Sequence, residues 1–424
     1  MKVLCSFFVT VSIAWGGTAR ASDVLVVDGS GGSAPYVSVQ AAIDAAAPGD
    51  VILIRSGHYD GITIDGKGLT LIADSGAEVK IGGFVPNSSL SPIPNVVQNV
   101  PLGQAAILDG ITFHGIVIIG GSSGVFYGPA LFLNSNSGQV WIERCSTDGI
   151  RPLEVESCAG VTVHGSDLSA VSPALGSGVE VRGSTVAISD TTVRGAPGRD
   201  GGPSLFGFYS QGSEGGAGLT VSFDSSIVIS GSTIRGGKGG DGLVLPFAPF
   251  CVDPRNGGAG IEAHPSTPNA KIRTIDSTID GGLPGNGGCV PASQGPAMNT
   301  SNAQVIAWNG AALTLDVSSP LREGQAGSLT IGDGAAGMSV LLILGTMPSS
   351  LVLPAGLGTS FVALPWTIAG LGTMSGPTLS FSTAAPQLPP GVAGIAVPMQ
   401  VVGCVGAQCV LGGGSTLVLI DSSF

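Results

Sequence analysis

Residues 36–73 read YVSVQAAIDAAAPGDVILIRSGHYDGITIDGKGLTLIA, and this stretch decides the fold. Its first part predicts a short helix, because Ser38 is a suitable N-cap and apolar residues follow it at helical spacing. Pro48 and Gly49 end the helix. From Val51 onward, short apolar runs alternate with polar residues and turns, a pattern typical of strands. The stretch therefore predicts a helix that leads directly into a series of short strands.

Strand phrases of the same kind recur along the chain. The segments GVEVRGSTVAISDTTVRG (178–195) and GLTVSFDSSIVISGSTIRG (218–236) each contain three short apolar runs separated by turns. One such coil cannot bury its apolar face alone, whereas stacked coils share a continuous core, so the repeat predicts a solenoid. The aligned phrases begin at Leu131, Leu153, Val179, Leu219 and Ile261.

The quoted opening resembles that of the pectin lyase-like superfamily, in which a helix covers the first coil and a "pGD-I-I-x-x-G-x-Y" phrase begins it. The resemblance implies a right-handed parallel β-helix. Pectinesterases, pectate lyases and many surface proteins share the opening, so it indicates a fold and not an activity. We expect an all-β chain with a right-handed parallel β-helix and its N-terminal helical cap over residues 22–305.

The composition changes near Trp308. Uncharged strand phrases bounded by proline or glycine follow, such as SVLLILG (339–345) and SFVALP (360–365). They predict a small C-terminal β-sandwich over residues 306–424, similar to modules appended to many bacterial exported proteins. A passive terminal cap or an attachment module is the expected role.

The first residues predict export. Lys2 precedes an apolar run from Val3 to Trp15, and small residues surround position 21, so residues 1–21 read as a signal peptide cleaved after Ala21. No later segment resembles a membrane helix. The expected location is secreted or extracellular, with the periplasm or outer surface as alternatives.

The charge and composition limit the partners. Charged residues make up 10% of the chain and the net charge is −12, which argues against nucleic acid and anionic membranes. Loss of Lys2 and Arg20 with the leader makes the charge more negative. An anionic polymer would need a bridging Ca²⁺.

The cysteines indicate an oxidising compartment. The chain has 7, and an even number remains once the leader is removed. No pair has the spacing of a zinc site. Cys145 and Cys158 are expected to stay free. The predicted disulfides are Cys404–Cys409 and Cys251–Cys289.

Candidate site residues follow from the alternation of side chains along strands. If the apolar residues of each phrase point inward, charged residues emerge on the outer face of the first sheet. Glu154 beside Glu180 would be a like-charge pair that raises a pKa or attracts a cation. The two outward columns are Phe132, Glu154, Glu180, Thr220, Glu262 and Asn134, Glu156, Arg182, Ser222, His264.

Three glycine-rich insertions, near 195–216, 236–258 and 281–295, leave the solenoid just before this sheet. Their composition predicts flexible or tightly turned segments. They would wall the sheet into a groove lined by aromatic residues suited to carbohydrate. These are Phe206, Phe208, Tyr209, Phe247 and Phe250, with Phe206, Tyr209 and Phe247 as substrate-binding candidates.

Two functions remain open. The favoured one is a secreted or cell-surface, non-catalytic β-helix protein in glycan binding, adhesion or extracellular matrix, because catalytic phrases of pectinesterases and polygalacturonases are missing. The alternative is a polysaccharide lyase or related carbohydrate-active enzyme. The resemblance to pectate lyases then implies that acidic residues bind calcium and that an arginine or lysine acts as the base. Its candidates are Glu154, Glu180, Arg182, Glu262 and His264.

Two further patterns carry weaker expectations. Glu143 and His164 would be stacked neighbours on the second sheet, where a surface hydrogen bond is favoured over acid–base chemistry. Ser and Thr recur at stacked positions near the third sheet, as in Thr191, Ser232 and Ser277, which predicts hydroxyl ladders that stabilise the coils.

Overall fold

The computed structural model describes residues 22–32, 34–82, 95–115, 117–120, 124–149, 151–171, 176–203, 209–244, 251–264, 269–300, 303–308, 310, 312–353, 358–406 and 408–424. The predicted signal peptide lies outside these ranges.

Three long parallel sheets run the length of the first part of the chain, and successive coils contribute one strand to each. The first sheet contains Thr63–Asp65, Val96–Gln98, Pro129–Asn134, Arg151–Glu156, Val179–Arg182, Leu219–Ser222, Ile261–Ala263 and Met298–Asn299. The second contains Val24–Val27, Val51–Ile54, Thr70–Ala73, Ala105–Asp109, Gln139–Glu143, Gly160–His164, Thr185–Ser189, Ser226–Ser230, Lys271–Ile275 and Gln304–Trp308. The third contains Gly57–Tyr59, Val79–Gly82, Ile111–His114, Ser146–Gly149, Asp167–Ala170, Thr192–Arg194, Thr233–Arg235 and Thr278–Asp280.

The core of this solenoid is the set of inward positions that the repeat identified. Val179, Val181, Leu219 and Ile261 are fully buried, and they belong to one continuous cluster along the coils. A shift of one residue would turn the neighbouring charges inward, so burial of the apolar set fixes the register.

One helix, Val39–Ala45, precedes the second strand. Ser38 caps it by accepting the Ala41 N–H at 3.4 Å. Val39, Ala42 and Ile43 are buried in the same core as the first coils, so the apolar face of the helix lies on the end of the solenoid.

Hydroxyl groups form ladders at the turns, as predicted. The N–H of Thr191 donates to Ser232 Oγ at 3.2 Å, and the N–H of Ser232 donates to Ser277 Oγ at 3.3 Å. Cys145 and Cys158 occupy rungs of such ladders: each thiol donates to the carbonyl two residues earlier, as the hydroxyls do. Both are buried and free.

The described parts of the glycine-rich insertions form a regular hydrogen-bonded arrangement, which corrects the expectation of flexible or tightly turned segments. Their backbone hydrogen bonds recur at every third residue: Gly195, Gly198 and Gly201 donate to the carbonyls of residues 235, 238 and 241. Three residues per turn is the period of the polyproline II helix, which has no internal hydrogen bonds and must find them in neighbours.

In each insertion one segment leads away from the solenoid and a second segment returns to it, and the two kinds of segment alternate as hydrogen-bonded neighbours. We call this set of segments the glycine slab (195–203, 209–217, 236–244, 251–260 and 281–297). Gly237 donates to the carbonyl of Gly216, and Gly258 donates in turn to that of Gly237. A Cβ on Gly258 would lie 2.0 Å from the carbonyl oxygen of Gly216, so only glycine fits there. The predicted disulfide Cys251–Cys289 is present and links two neighbouring segments.

The C-terminal part has its own strands. A three-stranded sheet contains Thr314–Val317, Ala326–Gly332 and Leu379–Ala384, and a five-stranded sheet contains Leu321–Arg322, Ser339–Leu344, Thr367–Thr373, Gly394–Val405 and Gln408–Ile420. Pro348–Leu353 pairs with Gly358–Val362. Three further short antiparallel pairs belong to the solenoid part and not to the C-terminal part: Val117–Gly120 with Gly124–Tyr127, Gly202–Pro203 with Tyr209–Ser210, and Leu243–Val244 with Cys251–Val252. Apolar residues of the two larger sheets share one core. The predicted Cys404–Cys409 disulfide closes a hairpin of the five-stranded sheet.

This C-terminal part lies against the outer face of the second sheet of the solenoid. Trp141 of that sheet meets Phe361 edge to face, with ring centroids 5.8 Å apart. Arg322 forms an ion pair with Asp74 at 2.9 Å. The second sheet is therefore covered on both sides, whereas no helix or sheet among the described residues packs on the outer face of the first sheet.

Candidate functional site

The first sheet brings three of the predicted site residues together. Register pairs Glu154 with Glu180 and Glu156 with Arg182, so the two outward columns run as the alternation predicted. Arg182 reaches across both columns. Its Nη1 lies 3.0 Å from Glu154 Oε1, and its Nε donates to Glu180 Oε1 at 3.0 Å.

A second arginine, not predicted, completes this group. Arg151 Nη1 lies 3.6 Å from Glu154 Oε2, while Glu156 stands 3.9 Å from Arg182. We call these five residues the arginine–glutamate cluster. It contains three carboxylates and two guanidinium groups, so most of its charge is compensated internally.

The cluster sets the protonation of its members. The pKa of Glu154 is raised, first by burial and then by the charge of Glu180, against the opposing charge of Arg182. Burial alone would lower the pKa of Arg182, but the hydrogen bond and charge of Glu180 outweigh it and the pKa rises above its ordinary value. Arg182 therefore stays protonated and cannot act as a general base.

Glu262 and His264, the other two candidates, are not brought into the cluster. Glu262 follows Glu180 in the same column, but Thr220 lies between them in register. Successive strands are about 4.8 Å apart, so two steps separate Glu180 from Glu262. His264 comes after the end of its strand, Ile261–Ala263.

The aromatic wall of the predicted groove falls largely beyond the described residues. Phe206, Phe208, Phe247 and Phe250 lie outside them, and for Tyr209 the structure gives the backbone strand alone. Their role as substrate-binding residues stays a prediction.

The position predicted for a cation between Glu154 and Glu180 holds the guanidinium of Arg182. Over the described ranges, no group of three or more His, Cys, Asp or Glu side chains is arranged to hold a metal ion.

The second sheet presents a different charged group, because the C-terminal part covers it. Glu143 is buried and accepts hydrogen bonds from Trp141 Nε1 at 2.9 Å and the Thr416 N–H at 2.8 Å. Arg144 pairs with Glu143 at 3.2 Å and also with Asp109. We call Asp109, Glu143 and Arg144 the buried triad.

One arginine cannot compensate two buried carboxylates. Burial, followed by the charge of Glu143, raises the pKa of Asp109 to about 8, although Arg144 opposes the shift. Asp109 therefore carries a proton at neutral pH, and its Oδ1 has no hydrogen-bond partner in the described part of the chain.

The prediction of a surface hydrogen bond between Glu143 and His164 is wrong, although the two residues are stacked neighbours. His164 is 6% exposed, its Nε2 donates to the carbonyl of Leu315 at 3.2 Å, and its Nδ1 lies 3.0 Å from Ser189 Oγ. Both residues serve the contact between the second sheet and the C-terminal part, a role that the repeat pattern alone does not reveal.

Three solved structures are similar to this chain at low identity and low TM-score. The chain is similar to the pectin methylesterase PemA from Erwinia chrysanthemi at 13% identity and a TM-score of 0.31, over 68% of this chain and 94% of that one. A pectin methylesterase solved in complex with a hexasaccharide gives 13% identity and a TM-score of 0.28, over 66% and 92%. The polygalacturonase from Erwinia carotovora ssp. carotovora gives 9% and 0.29, over 68% and 97%.

No family model matches this chain, and neither does any curated protein. Such low identities and scores do not bear on activity. The strand pairing by itself establishes the parallel β-helix that the opening of the sequence led us to expect. Within the described ranges, no helix is long and apolar enough to cross a membrane.

Proposed function

We propose that this protein is an exported, non-catalytic glycan-binding β-helix whose binding surface is the open face of the first sheet. The observation that carries the proposal is the arginine–glutamate cluster, where Arg182 is held by three carboxylates on the uncovered sheet. Two disulfides and the predicted signal peptide support export.

The cluster favours sugars rich in hydroxyl groups over acidic sugars. Both arginines already face carboxylates, so a sugar carboxylate would compete with Glu154 and Glu180 for the same donors. The carboxylate oxygens, in contrast, can accept hydrogen bonds from sugar hydroxyls. Arg182 then holds the carboxylates in place.

The same proposal assigns roles to the flanking parts. The helix Val39–Ala45 acts as the N-terminal cap of the solenoid, and residues 306–424 form a β-sandwich that covers the second sheet. The right-handed β-helix over residues 22–305 then serves as the rigid support for the binding face.

A carbohydrate-active enzyme is the second candidate, and one observation favours it. The raised pKa of Glu154 keeps a proton on this carboxyl over a wider pH range than usual, as a general acid requires. Against a lyase mechanism stands Arg182, whose raised pKa prevents it from accepting a proton.

Glycan-array binding followed by calorimetry on the best neutral oligosaccharide tests the proposal. We expect Glu180→Ala with Arg182→Ala to weaken binding at least about tenfold, since charged hydrogen bonds contribute about 1.5–3 kcal/mol each. The matched control is Arg235→Ala with Asp280→Ala, which removes an exposed ion pair from the third sheet and is expected to bind normally.

Unchanged binding by the double variant of the first sheet, in a protein with an unaltered melting temperature, would rule out this surface. Release of new reducing or unsaturated ends from the bound glycan would favour the enzyme instead.

A further inference from the structure

The two ends of the solenoid differ. At the first coil, the helix Val39–Ala45 lies across the core. At the last coil, the strands Thr278–Asp280, Met298–Asn299 and Gln304–Trp308 are each paired on one side. Within the described part of the chain, nothing pairs with their other side. We call this surface, together with the adjoining segment 281–297 of the glycine slab, the open face.

The open face exposes apolar side chains that would otherwise belong to the core. Val305 stands in register with the buried Ile272 but is 37% exposed. On the glycine segment, Leu283 is 62% and Val290 58% exposed. Solenoids normally require polar terminal repeats, so an end of this kind indicates a partner.

The unpaired backbone groups of the last strand also indicate a partner. The N–H of Gln304 donates to the carbonyl of Ala270 in the preceding coil at 2.8 Å. Because successive residues of a parallel strand face opposite neighbours, the N–H groups of Val305 and Ala307 face outward. They offer a row of donors and acceptors to an added strand.

The charge of the open face favours a second copy of this chain as the partner. From residue 281 to residue 315 the sequence contains no Asp, Glu, Lys or Arg, although the whole chain has a net charge of −12. The one ionisable residue of the open face, Asp280, is paired with Arg235 at 2.9 Å. A face without net charge on an acidic protein lets a second copy approach without the like-charge repulsion that other surfaces would impose.

We propose that two copies of this chain associate end to end through their open faces, about a two-fold axis. Such an axis places the two last strands antiparallel, an orientation that strands pair in readily. The segment of the glycine slab on the open face can also pair in this antiparallel orientation, because segments of the slab bond to both parallel and antiparallel neighbours.

The covered end limits the assembly to a dimer. A stack that continued beyond two copies would need a second open face. At the first coil, Gln40 of the helix bonds the N–H and the carbonyl of Thr63, and Tyr36 pairs with Val27. The contact is therefore closed and does not grow into filaments. Beyond the proposed function, the dimer would present two first-sheet surfaces in one particle.

Light scattering coupled to size-exclusion chromatography, and sedimentation equilibrium of the full mature chain over a range of concentrations, test the dimer. We expect twice the chain mass for the unaltered protein. Leu283→Lys with Val290→Lys places charges on the open face, and Ala307→Pro removes an outward N–H from an edge strand that tolerates proline. Each change is expected to weaken association about tenfold or more.

Leu102→Lys with Val171→Lys is the matched control, since these side chains are 85% and 60% exposed on coils away from the open face. The control should dimerise normally, and circular dichroism and melting should show all variants folded. A monomeric unaltered chain at every concentration overturns the proposal. So does a dimer that the open-face variants leave intact, or filaments in place of a closed dimer.

Discussion

The outer faces of the first and second sheets carry similar side chains in different surroundings. Each has an arginine among carboxylates, but Arg182 is on the outer face of the first sheet and Arg144 is beneath the C-terminal part. On the first sheet the charges of the arginine–glutamate cluster compensate one another in partial contact with water. On the covered face, two carboxylates share one arginine and one of them keeps its proton. The surroundings, and not the residue types, decide whether such a group can bind a ligand or serves to join two parts of the fold.

The largest expected difference between the two faces is the loss of folding stability when the arginine of each face is replaced. Arg144→Met leaves Asp109 and Glu143 buried without a cation, and we expect it to lower the free energy of unfolding by about 3–5 kcal/mol. Arg182→Met, on the outer face of the first sheet, should lower the free energy of unfolding by about 1 kcal/mol or less. Urea denaturation measures both, with Arg235→Met as an exposed control. Equal losses for Arg144 and Arg182 would contradict the distinction between the two faces.

The pH dependence of stability sharpens the comparison. The folded-state pKa of Asp109 is about 8, above its ordinary value of 3.8, so the folded protein binds a proton that the unfolded chain releases. The stability contributed by this proton is complete below about pH 4 and is lost as the pH rises toward 8. We expect Asp109→Asn to reduce this decline, by roughly a few kcal/mol over the interval.

The measurement is a series of denaturant titrations between pH 4 and pH 9. Asp280→Asn, on the exposed part of the third sheet, provides the control, because its side chain is 40% exposed. An Asp109→Asn protein whose stability falls with pH as steeply as that of the unaltered chain would show that Asp109 is ionised when folded.

The smallest effects on stability are expected at the two free thiols. Cys145 lies in the turn after one strand of the second sheet, and Cys158 lies in the turn before the next strand. Cys145→Ser and Cys158→Ser should each change the free energy of unfolding by less than about 1 kcal/mol, because hydroxyls fill the same rungs in neighbouring coils. Burial raises the pKa of Cys145 to about 12 and also raises that of Cys158, so neither should react with iodoacetamide in the folded protein at neutral pH. Rapid alkylation of either thiol would contradict the buried ladders.

The register of the first sheet could be predicted from sequence, because a period of two and a shared core leave a single assignment for Val179 and Val181. The same register predicts an ion pair between Glu156 and Arg182, and their charged atoms lie 3.9 Å apart. The closer contacts of Arg182 with Glu154 and Glu180 could not be predicted. They depend on a rotamer that turns the side chain back toward Glu180 in its own strand, and alternation says nothing about rotamers. Arg151 gave no sequence signal of its own.

The contact of the C-terminal part with the second sheet was missed for another reason. The outward positions of that sheet include Ile107, Trp141 and Ala187, all buried. Large apolar side chains at outward positions are a readable sign that something covers the sheet. The glycine slab also has a sequence signal, because glycine recurs at every third position, as in 195, 198 and 201. This period indicates regular structure, whereas the glycine content alone predicts flexibility.

The slab also constrains how its coding sequence can change. Because its hydrogen bonds recur every three residues, an insertion or deletion of three codons moves a segment by one whole turn, roughly 9 Å, and keeps glycine opposite glycine. A change of one or two codons brings a side chain to a position such as Gly237, where a Cβ would lie 1.9 Å from the carbonyl oxygen of Ala196. Related genes should therefore differ in the length of these segments by multiples of three residues.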